Sequence, residues 1–326
     1  MHCGRSMRDC WMAHLATTRP KLPGGCLRRV VGVVCSVMAF AGCAREATPV
    51  VDGVLLGLAG HGGVVRCNLT TDSWSGQGEL RLGHTAFYSG VGGMVDGAVV
   101  LSRTSRTGSD PMSQIRFLST ADGAERAGGF GICPTLTWDG RYIVCYGDQP
   151  GAPGGLALLR YRPAESSSPD TLGSVAVPPG DVRQWRDSLW APVEVDSGIV
   201  AVFGLDGAVW TVDVDSGSRR SLGIFGCVPV FWQASRHALV CYDLRRASYF
   251  AFDLHGALIA ALPELRELVA VGPSRVRDVT LFVAPRRAWG QRTEDYSLVA
   301  YTWKTRKTWV VREFAPFMMG RMLWLE

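Results

Sequence analysis

Short runs of alternating apolar and polar residues recur along this chain, and tight turns separate them in pairs. The pattern occurs at residues 49–56 around Asp52-Gly53, at 93–100 around Asp96-Gly97, at 136–144 around Asp139-Gly140, at 193–202 around Asp196-Ser197-Gly198, more loosely at 230–240, and around Arg277-Asp278. Asp-Gly between two alternating runs is typical of a β-hairpin. The sequence therefore predicts six antiparallel hairpins of similar design.

A second hairpin follows each of the first ones, and the whole unit repeats. Successive first turns lie 44, 43, 57, 39 and about 42 residues apart. Such a period is typical of radial arrays of four-stranded sheets. We therefore expect an all-β fold, a six-bladed β-propeller of four-stranded antiparallel blades, with seven blades as the alternative if the longest interval conceals one more. The C-terminal run 321–325 is expected to pair with the first blade and close the ring.

The N-terminal segment predicts export. Arg28 and Arg29 precede 13 apolar residues, 30–42, which are too few to span a bilayer but suit the apolar region of a secretory signal. The segment Phe40-Ala41-Gly42-Cys43 resembles a bacterial lipobox, although leucine is usual where Phe40 stands. This resemblance implies that residues 1–42 are removed and that Cys43 is acylated; cleavage after Ala41 or Ala44 is the alternative.

Residues 43–326 are then expected to form a single propeller domain, because no linker-like tract divides them. The resemblance to lipoproteins places this domain in the cell envelope, attached to a membrane through its N-terminal lipid. Ala44 follows the lipidated cysteine, where aspartate would indicate retention at the inner membrane, so the outer membrane is favoured.

The net charge of +5 belongs to the leader. Residues 1–42 hold six of the 34 basic and one of the 29 acidic residues, which leaves 28 of each in the remainder. A neutral chain gives no electrostatic case for binding nucleic acid.

The strand rhythm and Asp-Gly turns of residues 48–326 resemble those of bacterial propeller lipoproteins and TolB-type repeat propellers. The resemblance concerns the fold. No blade ends in Trp-Asp, and the Gly-Gly of the kelch repeat does not recur. Four tryptophans, Trp138, Trp210, Trp232 and Trp303, are expected in the core between blades.

Catalytic motifs are scarce. Gly-x-Ser-x-Gly, phosphate-binding glycine loops and metal-binding histidine spacings are absent from the sequence. His61 and His84 flank the first blade and are weak candidates for a metal or acid/base site. We expect no cofactor.

Long loops predict a binding surface. In a four-stranded blade, the loop between strands two and three and the connector to the next blade lie on the same face, here called the loop-rich face. The long segments 103–112, 147–155, 178–190 and 285–295 all belong to it. Arginine and tryptophan are common anchors of interfaces. The candidate residues are Arg103, Arg106, Arg183, Trp185, Arg186, Trp190, Arg286, Arg287, Trp289 and Arg292; their alternative explanation is an arginine-rich coding bias in solvated loops.

Four cysteines predict two disulfides. Cys133 and Cys145 stand on the two arms of one hairpin, and Cys227 and Cys241 on the arms of another. Opposed residues come close enough to bridge, and export permits oxidation. The alternative is that each cysteine is a small buried apolar residue, and a one-residue bulge would break the register.

These features together predict a non-catalytic binder. We expect an exported, lipid-anchored propeller that binds an envelope protein or a glycan through its loop-rich face. A periplasmic or surface enzyme, a hydrolase or lyase using the same face, is the first alternative. A subunit that only scaffolds an envelope assembly is the second.

Overall fold

The computed structural model describes residues 51–59, 64–70, 86–105, 114–148, 155–163, 168–176, 191–265, 269–288, 291–315 and 318–326. These residues form 23 strands and two single-turn 3-10 helices, Ala234–Arg236 and Pro263–Leu265. All of them belong to one compact unit. None of the helices in this part of the chain has the length and apolar character needed to cross a bilayer.

Four separate sheets each contain four antiparallel strands in chain order, which confirms the predicted all-β class. We call them blades II to V. Blade II contains β3 (Ala86–Val95), β4 (Ala98–Ser105), β5 (Gln114–Ser119) and β6 (Glu125–Phe130). Blade III contains β7 (Ile132–Leu136), β8 (Ile143–Asp148), β9 (Gly155–Tyr161) and β10 (Asp170–Ala176). Blade IV contains β11 (Val193–Asp196), β12 (Ile199–Phe203), β13 (Ala208–Asp213) and β14 (Arg219–Phe225). Blade V contains β15 (Cys227–Gln233), β16 (Ala238–Asp243), β17 (Ser248–Phe252) and β18 (Leu258–Leu262).

The remaining seven strands form one sheet that joins the two ends of the described chain. Its order is β2-β1-β23-β19-β20-β21-β22. Blade VI contains β19 (Ala270–Pro273), β20 (Val279–Ala288), β21 (Gln291–Thr302) and β22 (Lys307–Ala315). Blade I contains β23 (Met318–Leu325), β1 (Val54–Ala59) and β2 (Val64–Asn68). Only β19 and β23, which join these two groups, pair in parallel.

The C-terminal strand supplies the inner strand of blade I, as predicted. Val54 pairs with Leu325 and Leu55 with Trp324, and β2 occupies the other edge of β1. The predicted hairpin at 49–56 is therefore wrong in one respect. Both edges of β1 are taken, so the turn at Asp52-Gly53 lies beside the chain's own C-terminus instead of linking two consecutive strands.

The hydrophobic core consists of six clusters, one between each pair of neighbouring blades among the described residues. Leu101 and Leu56 share the cluster between blades I and II, for example, and Leu281 and Trp324 share the one between blades VI and I. The apolar faces of every blade are therefore covered on both sides. The number of blades stays a prediction, which this closed series of clusters supports.

The Asp-Gly turns adopt the backbone that the sequence predicted. Asp96 and Gly97 have φ of 49° and 73°, and Gly140 and Gly198 both have φ of 71°. A two-residue type I′ hairpin requires positive φ at both central residues, as at Asp96-Gly97, and glycine adopts the positive φ of Gly140 and Gly198 without steric cost.

The predicted disulfides are absent, because the described cysteines Cys67, Cys133, Cys145, Cys227 and Cys241 are all thiols. In blade III, Ile132 pairs with Tyr146 and Thr135 with Val144, so Cys133 and Pro134 form a bulge opposite Cys145. Cys133 consequently packs toward blade IV and Cys145 toward blade II. Two thiols on opposite faces of one sheet cannot form a bridge.

The register of the hairpin separates the other pair by two residues. Cys241 pairs with Pro229, while Cys227 pairs with Asp243, and the register shifts between Pro229 and Phe231. The two cysteines are therefore diagonal neighbours, whose Cα atoms lie about 7–8 Å apart in such a ladder. That separation exceeds the usual disulfide range.

Candidate functional site

Two backbone hydrogen bonds identify the loops that share a face. Gly226, in the connector from blade IV to blade V, donates to the carbonyl of Gly207 at 2.9 Å and accepts from the amide of Leu244 at 3.0 Å. Gly207 and Leu244 belong to the loops between the second and third strands of blades IV and V. These loops and the connectors therefore lie together, as the loop-rich face requires.

Most of the residues predicted to form the binding surface lie outside the part of the chain that the structure describes. Arg106, Arg183, Trp185, Arg186, Trp190 and Trp289 lie outside the described residues. The same holds for Cys43, for the leader, and for His61 and His84. Arg103 is placed: it lies on β4, and its Nη1 donates to the Glu125 carboxylate on β6 at 2.8 Å.

The predicted loop at 285–295 is instead mostly strand. β20 continues to Ala288 and β21 begins at Gln291, so Arg286, Arg287 and Arg292 belong to an extended hairpin, in which Arg287 pairs with Arg292. The sequence suggested a loop here because charged residues interrupt the apolar alternation over this stretch. Backbone pairing continues regardless of those charges.

Large apolar side chains are exposed on the described part of the loop-rich face. Phe130 and Phe225 each end an outer strand, just before the connector glycines Gly131 and Gly226, and their exposed fractions are 51% and 67%. Leu205 lies in the loop that is hydrogen-bonded to the second connector and is 61% exposed. Phe225 and Leu205 thus lie on adjoining segments, and we call this pair the apolar pair.

A groove adjoins the apolar pair between blades IV and V. It has a volume of about 400 Å³, and its walls include Phe225, Asp243, Arg245 and Arg246. The Asp243 carboxylate accepts from the amides of Arg245 and Arg246 at 2.8 and 2.9 Å, which fixes the turn. The Arg246 guanidinium lies 5.5 Å from the centre of the Phe250 ring, a cation–π distance. Arg246 also pairs with the Asp243 carboxylate at 3.8 Å, so the groove combines aromatic surface with one more positive than negative charge among Asp243, Arg245 and Arg246.

A second cavity, of about 80 Å³, lies where the inner strands of all six groups meet. Its walls come from β3, β7, β11, β15, β19 and β23 and from the turns that follow three of them: Val91, Gly92, Gly93, Thr135, Leu136, Trp138, Val193, Glu194, Phe231, Trp232, Ala234, Pro273, Ser274, Arg275, Arg321, Met322, Leu323 and Trp324. Trp138, Ala234 and Arg275 belong to turns between first and second strands. The cavity therefore opens on the face opposite the loop-rich one, and we call it the axial cavity.

Glu194 is buried in the wall of the axial cavity, with 5% of its surface exposed. Its Oε1 accepts from the Gly198 amide at 3.3 Å, and its Oε2 has no hydrogen-bond partner among the described protein atoms. Burial raises the pKa of Glu194 to about 7, against the opposing effect of hydrogen bonds from the Trp138 and Gly198 amides.

Arg321 crosses the same cavity. From β23 in blade I its Nη1 donates to Thr135 Oγ1 in blade III at 3.0 Å, and its Nη2 donates to the Pro192 carbonyl before blade IV at 3.4 Å. Desolvation lowers the pKa of Arg321 to about 10, and the nearby Arg275 adds to that effect. The guanidinium remains charged near neutral pH.

The tryptophans differ from the expectation that all four are core residues. Trp232 is buried, but Trp138 is 38% exposed at the mouth of the axial cavity. Trp210 is only partly buried, and its Nε1 donates to the Asp206 carboxylate at 3.0 Å. Trp303 is also partly buried, with its Nε1 donating to Thr280 Oγ1 at 2.9 Å.

No group of three His, Cys, Asp or Glu residues in the described part of the chain is arranged to hold a metal ion. His237 and His255 are placed there, and both are exposed in turns. The predicted metal or acid/base candidates His61 and His84 lie outside the described residues, and the alternative of an enzyme that uses the loop-rich face stays a hypothesis.

Sequence reasoning missed the residues that line both sites. It favoured the longest loops, whereas the apolar pair and Arg245-Arg246 lie in short ones. A usable signal was present, since Leu205 interrupts the turn Gly204-Leu205-Asp206-Gly207 where a polar residue is usual. Glu194 and Arg321 each interrupt an apolar inner strand, which was the corresponding signal for the axial cavity.

Comparison with known proteins shows the fold alone. No protein-family model and no curated protein matches the chain. Among solved structures it is similar to a putative TolB from Agrobacterium tumefaciens (11% identity, TM-score 0.52, covering 84% of this chain and 92% of that one). It is also similar to TolB from Acinetobacter baumannii (11% identity, TM-score 0.55, covering 93% and 74%) and to a chain of a nidogen/laminin complex (15% identity, TM-score 0.54, covering 84% and 98%). These similarities establish the β-propeller fold.

Proposed function

We propose that this protein is an exported, lipid-anchored propeller of the cell envelope that binds a protein partner through its loop-rich face. The observation that carries the proposal is the apolar pair, Phe225 and Leu205, exposed on adjoining segments of that face beside a groove lined by Arg245 and Arg246. The sides of the blades that pack against neighbouring blades bury their apolar side chains in the six clusters.

The composition of this surface favours a protein partner over a glycan. Aromatic and arginine side chains are enriched in protein interfaces, and an exposed leucine gives little to the recognition of hydroxyl-rich sugars. Arg245 and Arg246 indicate a partner with acidic groups around an apolar centre. One chain of similar fold belongs to a nidogen/laminin complex, so the fold is compatible with protein recognition in that case.

Replacing the apolar pair is expected to weaken partner binding without weakening the fold. Phe225→Ala and Leu205→Ala should each reduce recovery of the partner from cross-linked, solubilised envelopes by about tenfold or more, since a central anchor contributes about 2 kcal/mol. Leu258→Ala is the matched control, because Leu258 is 59% exposed and begins β18 at the opposite face. All three variants should melt within about 2 °C of the wild type, as exposed side chains contribute little to stability. Equal recovery by the Leu205 and Leu258 variants would argue against this surface.

Membrane attachment rests on Cys43, which lies eight positions before the first described residue, Val51. One acyl chain alone binds membranes weakly, so we propose that the mature N-terminus carries more than one. Cells fed a palmitate analogue should label the wild-type protein and leave Cys43→Ala unlabelled. Equal labelling of both proteins would refute the lipid anchor and leave export untouched.

A further inference from the structure

The axial cavity contains an unbalanced set of charges. Arg275 and Arg321 both line it, and no described carboxylate lies within ion-pair distance of either guanidinium. Glu194 is the carboxylate that lines the same cavity, and two other carboxylates around it are engaged elsewhere. Glu326 accepts from Ser274 Oγ at 2.7 Å and pairs with Arg277 at 3.1 Å, and Asp139 pairs with Arg141. A guanidinium with spare donors is the usual means by which proteins bind an oxyanion.

The carboxyl of Glu194 completes the polar lining. A buried oxygen without a partner is costly, and in a native protein it commonly indicates a group that the site is built to receive. The groups around Glu194 are Arg275 and Arg321, which favour its charged form, and Asp139, which opposes it. Burial has the largest effect on the pKa of Glu194 and raises it, so the protonated form is populated near neutral pH. A protonated carboxyl can donate a hydrogen bond from Oε2.

The remaining walls are mostly apolar, with Thr135 and Ser274 as the polar exceptions. Trp138 is half-exposed at the mouth, and Trp232 and Trp324 are buried beside it. A volume of about 80 Å³ accommodates several water-sized groups, since one water needs about 10–15 Å³ of such space. Two positive charges exclude a cation, and the flat aromatic walls suit the organic part of a small molecule.

We propose that the axial cavity binds the oxyanion group, a carboxylate or a phosphate, of a small organic ligand, with Arg275 and Arg321 supplying charge and Glu194 donating a hydrogen bond in its protonated form. This site is independent of the proposed function, because the cavity opens on the face opposite the apolar pair.

Titration calorimetry with three probes of similar shape tests the proposal. Benzoate and phenyl phosphate carry the anionic group, and benzamide is the neutral control. At least one anion should bind at pH 6, and the tighter of the two identifies the preferred group, whereas benzamide should not bind. Absence of binding by both anions up to about 10 mM, or equal binding of benzamide, would overturn the proposal, since ligands of this size reach millimolar affinity in a suitable site.

Substitution of Arg275 tests whether its positive charge binds the anion. Arg275→Gln should weaken the anion about tenfold or more, because charge-assisted hydrogen bonds are lost. Arg236→Gln is the matched control: Arg236 lies on the same face and pairs with Asp278 at 2.6 Å, away from the cavity wall. If both variants lowered the affinity for the anion equally, the cause would be the overall surface charge, and the proposed site would be contradicted.

The affinity of the axial cavity for the anion is expected to depend on pH because Glu194 titrates. Its ionised form repels the ligand, so binding requires the protonated form, and affinity should fall about tenfold between pH 6 and pH 8 for a group that titrates near 7. Glu194→Gln keeps a donor that does not titrate, so this variant should bind at both pH values with nearly equal affinity. An unchanged pH dependence in Glu194→Gln would contradict the role of this residue.

Discussion

Removing residues 318–326 is expected to abolish the cooperative unfolding transition of this protein. β23 hydrogen-bonds to β1 and to β19, and the truncation would leave a free edge on each. Met322 and Trp324 are buried between blades I and VI, where loss of such side chains costs about 2–5 kcal/mol each. Together these losses are comparable to the whole stability of a typical domain. Urea unfolding followed by circular dichroism measures the effect.

A rearranged chain provides the control. The backbone of Gly53 lies against the carbonyl of Leu325, so residues 318–326 can be moved between Val51 and Asp52 without changing their place in blade I. In the permuted chain Glu326, Asp52 and Gly53 form a three-residue loop between the paired residues Leu325 and Val54, a common length for a β-hairpin. Folding should return in this permuted chain. A truncated chain that unfolds like the wild type, or a permuted chain that does not fold, would contradict ring closure by β23.

Gly53→Ala is expected to destabilise the protein by about 2–5 kcal/mol, through backbone strain and overpacking. Gly53 has φ of 97°, and a Cβ at this position would lie 2.2 Å from the Leu325 carbonyl oxygen. Gly97→Ala is the matched control, because Gly97 has φ of 73° in an equivalent Asp-Gly turn with no atom within 4 Å of an added Cβ. It should lose only about 1–2 kcal/mol. Equal losses in urea unfolding would mean that the C-terminus does not lie against Gly53.

The sequence predicted the fold well because turns and alternation are local signals. Asp-Gly pairs at 96–97 and 139–140 indicated the hairpins, and the run 321–325, apolar after Arg321, correctly indicated the closing strand. Register was harder to predict, since a bulge moves every later residue of a strand relative to its partner. Pro134 stood in the bulge that separates Cys133 from Cys145, and proline inside a strand was the signal that this disulfide prediction overlooked. Cys227 and Cys241 are instead offset by two residues because of the register of their hairpin.

The sites were harder to predict than the fold. Whether Glu194 faces solvent, a neighbouring blade or the axis depends on the twist of blade IV, which alternation does not encode. Exposure of Phe225 likewise depends on a connector of a single glycine, Gly226, which leaves the ring beyond the edge of the cluster between blades IV and V. The predicted long-loop residues mostly lie outside the described part of the chain, so the role of loop length in binding stays a prediction.

Site-specific photo-cross-linking in living cells tests the central claim most directly. Benzoylphenylalanine placed at position 225 or 205 should yield a discrete cross-linked protein, because both positions lie in the proposed contact. Position 258, equally exposed on the opposite face, should yield none. The same product from position 258, or no product from 225 and 205 in cells where the protein is anchored and folded, would contradict partner binding through the loop-rich face.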